Sequence, residues 1–157
     1  MNPCETHPNA PSPVIVSACL LGVRCRFDGE SKPSDTVIAW LRNRHVIPVC
    51  PEQLAGLPTP RLRHEILDGR VVSETGHDAT DTFERGAREV LRLVELFDAR
   101  LAILKSRSPS CGRGQIYDGT FSGRVVEGDG FLARLLIQHG CTVLSDEQIA
   151  LGPVVLE

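Results

Sequence analysis

Short apolar runs alternate with longer amphipathic stretches over most of this chain. Three of the apolar runs have the length and composition of buried strands: 14–17, 46–49 and 101–104. Apolar residues spaced three and four apart predict three helices, which cover 35–43, 81–97 and 131–139. A last strand is predicted at 141–144, followed by a short capped helix. This alternation predicts a mainly parallel sheet between two layers of helices.

The Asp-Gly pair at Asp68 and Gly69 interrupts this alternation. It lies between two short apolar segments and predicts a β-hairpin with a type I′ turn. The predicted fold class is therefore α/β: a single three-layer domain with a mainly parallel, Rossmann-like sheet and a small β-hairpin appendage. Residues 1–13 contain four prolines and predict a disordered leader, so the domain is expected to comprise 14–157.

Composition limits the classes of function. The chain has 157 residues and a net charge of −3, which gives no overall attraction to nucleic acid or to an anionic membrane. No apolar run approaches the length of a membrane span, and the N-terminus lacks the apolar core of a signal peptide. We therefore expect a cytoplasmic protein, in which the six cysteines serve metal binding or catalysis rather than disulfides.

Three of the predicted strands lead into a cysteine: Cys19, Cys50 and Cys111. Because the carboxyl ends of parallel strands meet at one edge of a sheet, we expect these thiols to converge there. Cys141 begins a strand instead, so it is expected in the core at the opposite edge. Cys4 lies in the predicted leader and is expected to be a free surface thiol.

Three kinds of site are compatible with convergent thiols. A catalytic zinc ion takes three protein ligands and keeps a fourth position open. A [4Fe–4S] cluster normally takes four cysteines, so three would leave one iron open as a Lewis acid. A cysteine nucleophile assisted by Glu52 and a histidine is the third possibility. The residue pattern favours a metal site over a nucleophile.

Five short segments follow one another along the chain. They are Ser-Ala-Cys-Leu-Leu-Gly at 17–22, Cys-Arg-Phe-Asp-Gly at 25–29, Pro-Val-Cys-Pro-Glu at 48–52, Ser-Pro-Ser-Cys-Gly at 108–112 and Tyr-Asp-Gly at 117–119. The ordered set resembles the thiouracil desulfidase family, and the similarity runs from Val14 to Ser145. The chain departs from the family after Pro60-Arg61, where Leu62-Arg63-His64 replaces further prolines, so the resemblance does not extend to the shape of the pocket rim or to substrate preference.

The resemblance implies an enzyme with a [4Fe–4S] cluster on Cys19, Cys50 and Cys111, in which one iron is not ligated by protein. It implies a non-redox reaction: that iron binds the thiocarbonyl sulfur of a 2-thiouracil-like base, and water replaces the sulfur, which leaves as sulfide. The family's acid/base carboxylate and serine match Glu52 and Ser108.

Further expectations concern the pocket and the partner. Possible pocket residues are Cys25, Arg61 and Ser110, and the flanking Arg24 and Arg26 are expected to lower the pKa of Cys25. The acidic charge balance predicts action on a free small-molecule thiolated base, with no tRNA as partner and no membrane association. The alternatives are a thiol- or metal-based sensor without catalysis and a zinc-dependent hydrolase.

Overall fold

The computed structural model describes residues 11–152, so the predictions for Cys4 and for most of the leader lie outside the described residues. The strands are β1 (Val14–Ser17), β2 (Val46–Val49), β3 (His64–Leu67), β4 (Arg70–Ser73), β5 (Leu101–Leu104), β6 (Gln115–Tyr117), β7 (Val125–Glu127) and β8 (Thr142–Ser145). The helices are α1 (Asp35–Trp40), α2 (Pro51–Leu54), α3 (Thr80–Phe97), α4 (Phe131–Gln138) and α5 (Asp146–Ala150), with a 3₁₀ turn at Ala18–Leu21.

The central sheet contains four parallel strands in the order β2-β1-β5-β8. Strand β2 lies at an edge of the sheet, which accommodates Pro48. Proline has no backbone N–H to donate, and an edge strand needs hydrogen bonds to a neighbour on one side only. The three strands that lead into a cysteine, β2, β1 and β5, are direct neighbours. The predicted parallel sheet is confirmed.

Each face of this sheet supports its own apolar core. Ile15, Ala102 and Leu104 pack with α3 and α4 on one face. Val16 and Ile103, which alternate with them along the strands, pack with α1 and α5 on the other. Burial on both faces explains why β1 and β5 are continuous apolar runs rather than alternating ones. The three-layer α/β architecture is therefore confirmed.

Two antiparallel hairpins lie beside the central sheet. The predicted hairpin is β3–β4, with Asp68 and Gly69 both at positive φ in its turn, at 50° and 76°. A second hairpin, β6–β7, follows the Cys111 loop and was not predicted, because its strands are only three residues long. Ile66 and Ile116, one from each hairpin, share a small apolar core with Phe83 of α3. Both hairpins are thereby fixed beside the carboxyl edge of the sheet.

Helix boundaries differ slightly from those predicted. Helix α1 ends at Trp40 rather than at residue 43, where Asn43 adopts a left-handed φ of 63° and turns the chain toward β2. Helix α3 begins one residue early, at Thr80, and α4 ends at Gln138 rather than 139. Within residues 11–152, none of the helices is both long enough and apolar enough to cross a membrane.

Candidate active site

Four thiols line a small cavity of about 50 Å³ beyond the carboxyl ends of the central strands: Cys19, Cys25, Cys50 and Cys111. Cys19 lies in the 3₁₀ turn directly after β1, and Cys50 immediately precedes α2. Cys111 lies in the loop after β5. The convergence expected from the strand ends is thus observed. Cys141, by contrast, is buried in the core, as expected.

The loop that carries Cys111 is held by its own serine. The Oγ atom of Ser108 accepts hydrogen bonds from the backbone N–H of Ser110 at 3.1 Å and of Cys111 at 3.0 Å. A side chain at Gly112 would have its Cβ only 2.7 Å from the carbonyl oxygen of Ser108, so only glycine fits there. The Ser108 oxygen is occupied as an acceptor, and its own proton is directed to the Cys111 thiol.

The surroundings in the cavity raise the pKa of Cys25, Cys50 and Cys111. A hydrogen bond with Cys25, together with burial, raises the pKa of Cys50 far above its usual range. Burial raises the pKa of Cys111 to about 12, although hydrogen bonds from Ser17 and Ser108 oppose the shift. Since thiols bind metals as thiolates, a metal centre held here would have to supply the positive charge that stabilises them.

The prediction that Arg24 and Arg26 lower the pKa of Cys25 is wrong. A hydrogen bond with the Cys19 thiol is the largest influence, and the pKa of Cys25 is raised to about 11. The two arginines are engaged elsewhere: Arg24 is exposed to solvent, and Arg26 forms an ion pair with Asp28 at 2.9 Å. The groups that determine the pKa of Cys25 are therefore its neighbours in space, Cys19 and Cys50, and not its neighbours along the chain.

Glu52 lies in the first turn of α2 and is held from two sides. Arg61 Nε donates to its Oε2 at 2.6 Å, and Ser110 Oγ donates to its Oε1 at 3.1 Å. Arg61 Nη2 also donates to the carbonyl oxygen of Cys25 at 2.8 Å. The side chains of Arg61 and Glu52 are only 4% and 13% exposed, so solvent screens this ion pair little. Of the three predicted pocket residues, Arg61 and Ser110 thus bind the carboxylate directly, and Cys25 accepts a hydrogen bond from the same arginine.

A larger cavity of about 400 Å³ adjoins the thiol cavity. The two share four wall residues: Glu52, Arg61, Lys105 and Ser108. Its volume lies within the range of small-molecule sites, roughly 300–1,000 Å³. The outer cavity is therefore the natural approach to the thiols, and Glu52 and Ser108 stand at the junction.

Several residues that line the outer cavity were not predicted from the sequence. Lys105 follows β5 directly, and its Nζ donates to the Ser106 carbonyl oxygen at 2.9 Å. Glu65, only 2% exposed, accepts hydrogen bonds from the backbone N–H of Gly119 and Phe121, each at 3.0 Å. Glu65 thereby ties hairpin β3–β4 to the loop of hairpin β6–β7. The position of Lys105 directly after a buried strand could have identified it as a site residue from the sequence. Nothing in the sequence indicates that Glu65 binds a distant loop.

The arrangement of the thiols suits a [4Fe–4S] cluster better than a zinc ion. Within residues 11–152, no three His, Cys, Asp or Glu side chains converge tightly enough to bind a single metal ion, which disfavours a zinc site. A cubane cluster is less compact, because it takes its thiolates on separate iron atoms. The three thiols that follow neighbouring strands line a cavity and do not converge on a single position. This spacing fits such a cluster.

Comparisons with known proteins point to one family. The family model described as 2-thiouracil desulfurase matches residues 14–148. A Bacillus subtilis (strain 168) protein, the uncharacterized protein YbbK, is 36% identical over 146 residues, covering 87% of this chain and 97% of that protein. The solved structure of the [4Fe–4S]-dependent thiouracil desulfidase TudS is 43% identical with a TM-score of 0.83, covering 90% of this chain and 97% of that one. The chain therefore belongs to the 2-thiouracil desulfurase family of enzymes.

Proposed function

We propose that this protein is a [4Fe–4S]-dependent desulfidase that converts a thiolated pyrimidine base such as 2-thiouracil to the oxo base and releases sulfide. One observation carries the proposal: Cys19, Cys50 and Cys111 surround a cavity whose wall also contains Glu52 and Ser108. The family, and the name of the structural neighbour TudS, support the same chemistry.

Cys19, Cys50 and Cys111 would hold the cluster. When bound, the cluster supplies an iron without a protein ligand, a soft Lewis acid suited to a thiocarbonyl sulfur. Cys111 receives hydrogen bonds from two serine hydroxyls, which favour its thiolate form. The reaction replaces C=S by C=O: water supplies the oxygen, sulfur leaves as sulfide, and no electron donor is needed.

Glu52 is the proposed general base for that water. Arg61 and Ser110 fix both of its oxygens, so the carboxylate cannot turn away from the junction of the two cavities. A carboxylate held in this way can accept a proton from water at the edge of the thiol cavity. Ser108, whose hydroxyl hydrogen-bonds to Cys111 in this structure, is proposed to donate its proton during the reaction to the water or to the oxygen that develops on the attacked carbon.

The proposed substrate is a free base rather than a thiolated tRNA. Three arginines of the outer cavity are paired with acids of the same wall, in the pairs Arg61–Glu52, Arg63–Glu65 and Arg107–Glu147. Paired arginines contribute little to the phosphate neutralisation on which RNA binding depends. This supports a partner without a long phosphate backbone.

The deciding experiment combines cluster reconstitution with a sulfide assay. After anaerobic reconstitution, the visible spectrum and the iron and sulfide contents are measured, and sulfide release is followed with thiouracil and with thiolated tRNA. The expected result is a loaded cluster and faster release from the free base. A loaded cluster without turnover would favour a sensor, zinc in place of iron would favour a hydrolase, and faster turnover of tRNA would reject the proposed substrate.

A further inference from the structure

Arg61 uses all five N–H groups of its guanidinium within the protein. Nε donates to Glu52 Oε2 at 2.6 Å, and Nη1 donates to two oxygen atoms of residues 58–59 at 3.3 and 3.1 Å. Nη2 donates to the Cys25 carbonyl oxygen at 2.8 Å and to Cys50 Sγ at 4.0 Å. A guanidinium has five donors and no acceptor, so Arg61 has no hydrogen bond left to offer a substrate.

The segment that carries Arg61 is itself held in place. The Arg61 backbone N–H donates to the Phe27 carbonyl oxygen at 2.8 Å. Gln53 Nε2 donates to Thr59 Oγ1 at 2.8 Å, which ties the segment to α2. The Arg61 side chain is almost fully buried, and a charge in such a position needs well-placed partners. The guanidinium therefore occupies one position between α2 and the loop that contains Cys25.

The guanidinium joins two groups that have different tasks in the proposed reaction. Glu52 is the proposed base, and Cys50, two residues earlier in the chain, is a proposed ligand of the cluster. The Cys50 sulfur carries negative charge when it binds iron, so an adjacent positive charge with an N–H directed at it stabilises the bound ligand. Partners of this kind orient a ligand and tune the metal centre to which it belongs.

We propose that Arg61 is a positioning residue that holds the base and a cluster ligand at a fixed separation and does not bind the substrate. This inference rests on the proposed function and adds the residue through which the cluster site and the base act together. A lysine cannot replace this arginine, because an ammonium concentrates its charge at one point and lacks the planar fork that reaches both partners.

Substitution of Arg61 separates this role from substrate binding and from support of the fold. Arg61→Lys keeps the positive charge but loses the fork, and Arg61→Gln loses both. Arg70→Gln is the matched control, because Arg70 also pairs with a carboxylate, Asp78, but is exposed on β4. Each protein is reconstituted anaerobically, and thermal unfolding and iron content verify that it is folded and loaded.

Two properties of the loaded proteins are then measured: the kinetics of thiouracil turnover and the reduction potential of the cluster. The potential reports the charge and hydrogen bonding at the ligand sulfurs even though the reaction transfers no electrons. A residue that only supports the fold would not change it.

Both Arg61 variants should keep KM within about twofold of the wild-type value, because no donor of Arg61 is available to the substrate. Their kcat should fall by about 10- to 100-fold, the usual cost of losing a partner that orients a metal ligand. The potential should become more negative in Arg61→Gln, because a positive charge and a hydrogen bond to a ligand sulfur are lost. It should change less in Arg61→Lys, and Arg70→Gln should match the wild type throughout.

Three results would overturn the inference and leave the proposed function standing. A rise in KM with unchanged kcat would make Arg61 a substrate-binding residue. An unchanged potential in fully loaded Arg61→Gln would remove the link to Cys50. Loss of iron from both variants would limit Arg61 to support of the thiol site. If the wild-type protein releases no sulfide while the shift in potential is found, the link between Arg61 and Cys50 stands and desulfuration is overturned.

Discussion

Cysteines occupy both ends of the same sheet, and their burial does not distinguish them. Cys19 and Cys111 at the carboxyl end are 8% and 5% exposed, and Cys141 at the amino end is 9% exposed. Their surroundings differ. Cys141 donates to the Ala99 carbonyl oxygen at 3.8 Å and packs in the apolar core. Cys111 shares its cavity with three other thiols, a carboxylate, an arginine and a lysine. A functional thiol is recognised by its neighbours, not by its burial.

Topology produces this difference. At the carboxyl end, three adjacent parallel strands open into a 3₁₀ turn, a short helix and a loop, which bring polar side chains together. At the amino end, chain returning from α4 enters β8 directly, and the residue before the strand packs into the core. Substitutions at either end test whether these different surroundings determine which thiols bind a cluster.

The largest effect is expected from removing a thiol at the carboxyl end. Cys19→Ala, Cys50→Ala and Cys111→Ala should each abolish cluster binding, because a cluster held by three cysteines has none to spare. Cys141→Ala should keep its full iron content. Iron and sulfide are quantified after anaerobic reconstitution. A full cluster in any of the first three variants would remove that cysteine from the ligand set.

The inner and outer parts of the site differ in how far the sequence predicts them. The thiol wall follows from local pattern, since apolar runs of strand length lead into cysteines. The second hairpin escaped prediction because strands of three residues carry too little periodicity. The Arg61–Glu52 pair joins residues on different elements, and only the fold brings them within 2.6 Å. The error at Cys25 has the same origin, because sequence neighbours were taken for spatial ones.

The next largest effect is expected at Glu52. Glu52→Gln keeps the size of the side chain but removes its basicity, so turnover should fall by about 100- to 10,000-fold, the usual contribution of general acid–base catalysis. Substrate should still bind, and the iron content should be unchanged. Turnover and iron are measured on the same preparation. Near-normal turnover with a full cluster would exclude Glu52 as the general base. Its role would then be only to stabilise the first turn of α2.

A smaller loss is expected at Ser108. Ser108→Ala removes the hydroxyl proton, and a bound water could replace it in part, so turnover should fall by about tenfold or less. The same change removes the acceptor for two backbone N–H groups of the loop, as in the loss of a helix cap. Ser108→Thr keeps the hydroxyl and should restore both properties. Loss of iron in Ser108→Ala with normal turnover per cluster would make the role of Ser108 structural alone.

The smallest effect on activity is expected at Cys25, the fourth thiol of the carboxyl end. Its thiol is hydrogen-bonded to both Cys19 and Cys50, so it lies between two proposed ligands. Thiols in direct contact are poorly spaced for separate corners of one cubane, which favours a packing role for Cys25, as a small buried side chain of the apolar core.

Cys25→Ala should therefore bind a full cluster and retain turnover, while the free energy of unfolding falls by about 1 kcal/mol, the value of roughly one buried methylene group. Denaturant unfolding of the reconstituted protein gives the stability, and iron analysis gives the loading. The Cys141→Ala variant, which loses a buried thiol at the other end, is the matched control and should show a similar loss of stability. If Cys25→Ala lost iron while Cys141→Ala did not, Cys25 would join the ligands, and the cluster would have no open iron for a thiocarbonyl to bind.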